Sequence, residues 1–369
     1  MTLASEWHSV VRIVRITGGV VAINNPGPEV QIGAGVNGRM LGTLRIPTYS
    51  SLFSVLRRQG FPIIGATFID GPEEAQGLRP SQFRAMSDNK GWLAWDVHQQ
   101  WGEIAHASGQ CDEMLLMDIA SRISASLTYS EMRLHDLVEA YSVQLRGRLY
   151  RNTDISKENE YTRFKDTNSF SVYKAIHALF WEMAVLRDTL AEFVAKFCFG
   201  QPEVSTLRGL IKRLRIKPST DPLAGQLLKD TDLATGGWMA MFTEYRNLFT
   251  HSAPMEQAAG IAFAVQDWRI LSPDLSIPQI YYPLPTNIAE LARRRTRGPL
   301  FETLKELVNA SSGHRPERTT EPDALEYLHN CFIKLTELAA LMTTRSPIAA
   351  KPIHFGPEDI IGKIQILNR

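Results

Sequence analysis

The stretch Gly237-Trp-Met-Ala-Met-Phe-Thr-Glu-Tyr-Arg-Asn-Leu-Phe-Thr-His251 is the one place in this chain where helical amphipathicity and usable chemistry coincide. At about 100° per residue, Trp238, Met241, Phe242, Tyr245, Leu248 and Phe249 fall on one stripe of a helix, which predicts a buried face. Thr243, Glu244, Arg246, Asn247, Thr250 and His251 share the opposite half. Arg246 and His251 are about 140° apart by the same count, so both side chains can reach one point beyond the helix surface. Ser252, Ala253 and Pro254 follow, and the proline biases the chain out of helix by Ala253, leaving His251 in the last turn.

Working upstream, Cys111 to Leu145 contains neither glycine nor proline and carries Leu116, Ile119, Ile123, Leu127, Leu134, Leu137, Tyr141 and Leu145 at helical spacing. This predicts one long helix, with a break near Thr128 to Ser130 as the open alternative. After a polar loop from Arg151 to Glu160, a second long helix is expected from about Asn168 to Phe199, stopped by Gly200-Gln-Pro202. Leu207 to Ile216 reads as a short basic helix with Arg208, Lys212, Arg213, Arg215 and Lys217, either a solvated face or a set of phosphate contacts. Another short helix is expected near Leu223 to Lys229.

Downstream, Gly260 to Ile270 and Ile277 to Leu284 are β-like, and prolines demote the second run to an edge strand or extended loop. Helices are predicted at Thr286 to Arg295 and Phe301 to Ala310, a polar loop at Ser311 to Thr320, and a last amphipathic helix at Asp323 to Met342.

The N-terminal part differs in character. His8 to about Ile46 is rich in valine, isoleucine and glycine, and two β-favouring runs around Gly18-Gly19 read as a hairpin. Gly33-Ala-Gly35-Val-Asn-Gly38 matches the G-x-G-x-x-G pattern of dinucleotide sites. Gly42 and Pro47 interrupt the helix that such a site requires, however, and the first acidic residue afterwards is Asp70, so these read as turn glycines. Tyr49 to Arg58 predicts a short helix, Phe61 to Ile69 a buried strand, and Gly91 to Ala107 a helix whose Trp92, Trp95 and Trp101 suggest an aromatic cluster.

The expected class is therefore mainly α (α+β), a helical bundle preceded by a small β-containing domain. The expected divisions are a β-rich domain over 1–108, a helical domain over 109–345 with a β-like insertion near 256–285, and a tail over 346–369. A chain of 369 residues fits two domains, or one with large insertions. A formal net charge of +1 lacks the basic excess of a typical DNA binder, so any nucleic-acid contact must rest on local patches. Cys111, Cys198 and Cys331 lack the close spacing of zinc or redox motifs, which suggests a reducing compartment. No apolar run approaches the roughly 18 to 20 residues that span a bilayer, and the start lacks the pattern of a signal peptide; a cytoplasmic location without membrane contact is expected. His135, His177, His329 and His354 are isolated from metal-ligand patterns, and no G-x-S-x-G stretch exists.

Arginine, asparagine and histidine on one helix end suit a phosphodiester. Cleaving RNA without a metal needs a base for the 2′-hydroxyl proton, an acid for the leaving oxygen, and a cation to balance the phosphorane-like transition state. His251 can act as acid or base near neutral pH, and Arg246 offers a planar, permanently charged fork. One histidine per chain makes two copies across a symmetric interface the easier arrangement. The alternative is structural: His251 caps free carbonyls at a helix end, and Arg246 pairs with a carboxylate such as Glu244 or Asp188.

Arg246-Asn-Leu-Phe-Thr-His251, at the end of an amphipathic helix preceded by two long helices and followed by another, resembles the HEPN superfamily. The resemblance covers roughly Gln110 to Arg345. It implies a HEPN-like helical bundle, a metal-independent homodimeric ribonuclease with no cofactor, and roles in toxin–antitoxin or phage-defence systems, with an antitoxin or trigger protein as a further partner. Arg246 and His251 then carry over as the catalytic pair and Asn247 as the polar residue of the motif. Ser252 and Ala253 stand where some members carry a modified tyrosine, so that mode of control is not supported. With RNA as the partner, Arg213 and the run Arg293-Arg294-Arg295 become the candidate RNA-binding residues. The rival class is a non-catalytic HEPN-like helical binding or regulatory protein.

Overall fold

The structure is a computed structural model that describes residues 11–24, 27–151, 162–252, 254–255, 264–272, 275–299, 301–306, 308 and 321–352. Four long helices, α3 (Leu93–Gln110), α4 (Met114–Arg151), α5 (Thr167–Phe193) and α10 (Ala324–Thr343), pack on one another around α4 and α5. The periodicity of α4 continues through Thr128 to Ser130: the Thr128 hydroxyl donates to the Ser124 carbonyl at 3.2 Å, a back-bond that the helix absorbs without breaking. A capping box starts α5, in which the Asp166 side chain accepts from the Ser169 amide at 3.1 Å and the Ser169 hydroxyl accepts from the Asp166 amide at 3.1 Å. The helix ends in a π turn, Val194–Cys198.

Six N-terminal strands, β1 (Val11–Ile16), β2 (Val20–Asn24), β3 (Glu29–Ala34), β4 (Met40–Arg45), β5 (Ile63–Ile69) and β6 (Gln82–Ala85), form an antiparallel sheet in the order β4-β3-β2-β1-β5-β6. Short helices α1 (Leu52–Arg58) and α2 (Pro72–Ala75) interrupt them. The G-x-G-x-x-G stretch lies at the β3–β4 hairpin, and β4 follows it instead of a helix. Gly35 has φ +73°, and a Cβ there would lie 2.6 Å from the Ser142 carbonyl oxygen of α4; Gly19, with φ +85° in the β1–β2 turn, meets Tyr141 O at 2.5 Å in the same way. Both glycines seat hairpins directly on the α4 backbone.

A second sheet joins β7 (Thr162–Phe164), β8 (Ala264–Ser272) and β9 (Leu275–Tyr281), with β9 at the edge and its Pro278 opposite Trp268. The proline sits where a missing donor is tolerated, as expected from the sequence. β7 has three residues, too few for periodicity to signal. The remaining helices are α6 (Leu207–Ile216), α7 (Pro222–Asp230), α8 (Trp238–Asn247) and α9 (Ile288–Arg297). Of the helix expected over Phe301 to Ala310, residues 301–306 and 308 are described, and 304–306 and 308 are helical. Of the loop expected at Arg151 to Glu160, Arg151 is instead the last residue of α4, and residues 152–160, the loop expected at Ser311 to Thr320, His354 and most of the tail lie outside the described residues.

The architecture is thus mainly α with antiparallel β, and one hydrophobic cluster runs from Val14 on β1 to Met342 on α10. The three tryptophans do not form a cluster. Trp92 packs edge-on against Phe53 and Phe68, Trp95 against His98, and Trp101 against Phe193 with its indole nitrogen donating to Ala339 O at 3.2 Å. Trp92 precedes the first helical residue of α3, and Trp95 and Trp101 are about 120° apart around it.

Where α10 meets the turn after β6, buried His329 places its Nε2 3.0 Å from the Met86 carbonyl, and burial pushes its pKa down to about 4. The unfolded chain takes up that proton near pH 6.5, so this residue's contribution to stability falls as pH drops from about 6.5 toward 4. Burial raises the carboxyls of Glu131 and Asp323 to about 7, and these act in the opposite sense over the range between the ordinary carboxylate value and 7. His329→Gln isolates the first effect. Moving from about pH 7 to about pH 5 should destabilise the wild type by about 2 kcal/mol more than this variant, read from urea midpoints. Equal losses would remove His329 from the pH response.

Candidate functional site

Phe242, Tyr245 and Phe249 form the buried edge of α8 and the turn after it. Phe180 of α5 stacks on Phe242 at 5.5 Å and meets Phe249 edge-on at 5.4 Å, while Tyr327 of α10 meets Tyr245 at 5.1 Å. The Tyr245 hydroxyl donates to Pro285 O at 2.9 Å, and Arg187 Nη1 donates to the Thr243 hydroxyl at 2.9 Å. These contacts fix the rotation of α8 and hence where its polar edge points.

That edge ends in a π turn, Leu248–Ser252. An i→i+5 turn brings residues five apart closer to one face than an α-helix does, and such turns recur at functional positions. Arg246 and His251 are five apart, and Arg246 Nη1 lies 3.2 Å from His251 Nε2 and 3.2 Å from Asn247 Oδ1. With Arg246 as donor, Nε2 accepts and the ring proton sits on Nδ1. The Arg246 guanidinium lies over the Trp181 ring at 5.4 Å, and its buried Nε has no hydrogen-bond partner among the described residues. His251 is exposed; Arg246 and Asn247 are half-buried. The structure therefore brings together all three residues singled out at this helix end.

The contacts of the structural alternative are not made among the described residues. Asp188 accepts from Arg187 Nε at 3.1 Å and from the Leu207 amide at 3.2 Å, leaving Arg246 without a carboxylate partner among the described residues. His251 makes no carbonyl cap there; its one hydrogen bond is with Arg246. Beyond the turn, the Met255 amide donates to His177 Nε2 at 3.2 Å, and burial pushes His177 down in pKa, so a neutral imidazole anchors the chain leaving the site. Of the other groups on α5, Arg187 reaches α8, whereas Glu192 is held by Lys196 at 2.8 Å and Arg122 at 2.9 Å.

The candidate RNA-binding residues separate. Arg293 and Arg294 are exposed on α9, which packs against the π turn carrying His251, and Arg294 pairs with Glu290 at 2.6 Å. The side chain of Arg295 lies outside the described residues. Arg213 is exposed on α6 but does not line the groove between α6 and α8, about 670 Å³ in volume; Arg208, Lys212 and Arg215 do, with Asn247 at the same groove. The sequence carried that distinction, because 208, 212 and 215 share a helix face and 213 sits about 140° away from 208. Trp181 was missed: an exposed aromatic on a long helix gives no signal until Arg246 is seen above it.

Among the described residues no three His, Cys, Asp or Glu side chains gather as a metal site, the three cysteines are free, and no helix is long and apolar enough to cross a membrane. No family model matches the chain, and neither a curated protein nor a solved structure does.

Proposed function

We propose that this protein is a metal-independent endoribonuclease of HEPN type, acting as a homodimer in a toxin or phage-defence role. The observation that carries the reading is the approach of Arg246 to His251 at 3.2 Å on an exposed helix end where, among the described residues, no carboxylate pairs with either. A phosphate entering there takes the Arg246 fork and frees His251 Nε2 for proton transfer. His251 of one copy withdraws the 2′-hydroxyl proton, the 2′-oxygen attacks the adjacent phosphorus, and His251 of the second copy protonates the departing 5′-oxygen. The products are a 2′,3′-cyclic phosphate and a 5′-hydroxyl. Asn247 orients Arg246 through its side-chain oxygen.

Exposed apolar side chains on α4 and α5 support the paired arrangement. Arg122 to Glu192 and Gln144 to Ser169 contacts set α4 and α5 antiparallel, which puts Met132 level with Trp181 and Tyr129 level with Val185. All four are exposed large hydrophobic residues, and Trp181 carries Arg246 above its ring. Large apolar side chains left exposed at matching heights on two packed helices are what an association surface would cover. Substituting Met132→Asp together with Val185→Asp should yield a folded monomer by light scattering that no longer cleaves single-stranded RNA in chelator. A dimer that persists, or a monomer that still cuts, would contradict the paired arrangement. A wild type that binds RNA without cutting it belongs to the non-catalytic class.

A further inference from the structure

The groove between α6 and α8 has chemistry of its own. Arg208, Lys212 and Arg215 form one wall, all exposed and none with an acidic partner among the described residues. The apolar lining includes Ile216 and Leu233, which are 69% and 50% exposed, and Ala240 of α8. Unpaired cations beside unsheltered apolar surface suit a ligand that is anionic on one side and flat and apolar on the other. Glu244 also lines the groove, and its carboxylate has no partner among the described residues. It is an acceptor for N–H donors, the recognition that a carboxylate gives a base edge. Asn247 lines the groove and lies 3.2 Å from Arg246 Nη1, so one lining residue links the groove to the Arg246–His251 pair.

We infer that this groove holds an unstacked nucleotide of single-stranded RNA next to the scissile phosphate. Its phosphates lie on Arg208, Lys212 and Arg215, its base lies against Leu233, Ala240 and Ile216, and the base edge is read by Glu244. The volume, about 670 Å³, falls within the range of about 300–1,000 Å³ typical of ligand sites. An acidic peptide would satisfy the same cations but would bring a like charge to Glu244, whereas a nucleobase brings donors. The inference rests on the ribonuclease reading for its ligand, but it concerns binding, and its test leaves cleavage aside.

The test uses full-length protein carrying His251→Ala, so that the RNA survives, and measures fluorescence anisotropy of a labelled single-stranded oligonucleotide over a salt series. Adding Arg208→Ala, Lys212→Ala and Arg215→Ala should weaken binding at least about tenfold and lower the magnitude of the salt slope by about 2, at about 0.7 per phosphate neutralised. Ala240→Trp should fill the groove and weaken binding while leaving the cations in place. Glu244→Gln should change the order of affinities among oligonucleotides of different base composition. The three cation changes are on exposed positions, so a folded variant remains available if Ala240→Trp fails to fold. Unchanged affinity and slope in the triple variant would overturn the inference. So would a free 5′-mononucleotide or a glutamate-rich peptide that binds in a groove-dependent manner while the oligonucleotide stays indifferent. If the triple variant loses RNA while wild type never cleaves, the groove stands and the catalytic reading falls; the reverse result separates them the other way.

Discussion

His251→Ala is expected to reduce RNA cleavage by about 100-fold to 10,000-fold, the usual contribution of a positioned acid or base. The fold should be unaffected, because His251 is exposed and its hydrogen bond among the described residues is with Arg246. Identical circular dichroism and denaturant midpoints alongside the lost cleavage would separate chemistry from stability. Arg246→Lys adds a second comparison. It keeps the charge but not the fork, and a lysine cannot reproduce a planar group that meets Asn247, His251 and the Trp181 face together. Activity should therefore fall in that variant as well, with RNA binding retained in larger part than in Arg246→Ala. Full activity in His251→Ala would remove the residue from the reaction.

The second large effect is on stability, at the joint between the N-terminal sheet and α4. Arg15 of β1 is 2% exposed; its guanidinium pairs with Glu139 of α4, its Nε donates to the Thr67 hydroxyl at 3.2 Å, and its Nη1 has no partner among the described residues. Burial lowers the Arg15 pKa, opposed by the Glu139 carboxylate. Glu139→Ala leaves that charge buried without its counter-ion. A loss of about 3 kcal/mol is expected, the low end of the range for breaking a buried pair, since Glu139 is itself 38% exposed and water can enter behind it. Arg15→Met removes the charge and fills similar volume, while Glu139 can turn to solvent beside His135, so its loss should be smaller, about 1 kcal/mol. Chemical denaturation of both variants checks the order. A Glu139→Ala protein no less stable than Arg15→Met would mean that the pair does not clamp the sheet to the helix.

Much of the scaffold could be read from residue patterns. The absence of glycine and proline in Cys111 to Leu145 marked α4, and the stripe through Phe242, Tyr245 and Phe249 marked the buried edge of α8. The glycines of Gly33 to Gly38 were legible as a turn, but not their reason: Gly35 is small because the Ser142 carbonyl sits against it, a contact between segments over a hundred residues apart. The Arg15–Glu139 joint was invisible for the same cause, since no local pattern pairs a strand arginine with a distant helix. At the site, spacing suggested that Arg246 and His251 could reach a common point. The π turn that closes the gap to 3.2 Å has no sequence signature of that kind, and neither has Trp181 beneath the guanidinium. The groove lay half in view, in the shared face of Arg208, Lys212 and Arg215. Its other wall, Glu244 and Ala240, depended on how α6 packs beside α8.

The central claim is that Arg246 and His251 cleave RNA through its own 2′-hydroxyl. The most direct measurement incubates the purified full-length protein with single-stranded RNA in excess chelator and identifies the new ends by enzymatic end-labelling and mass spectrometry. The account predicts 2′,3′-cyclic phosphate and 5′-hydroxyl ends that disappear in His251→Ala. Intact RNA with any required partner supplied, or ends bearing a 5′-phosphate and a free 3′-hydroxyl, would contradict it.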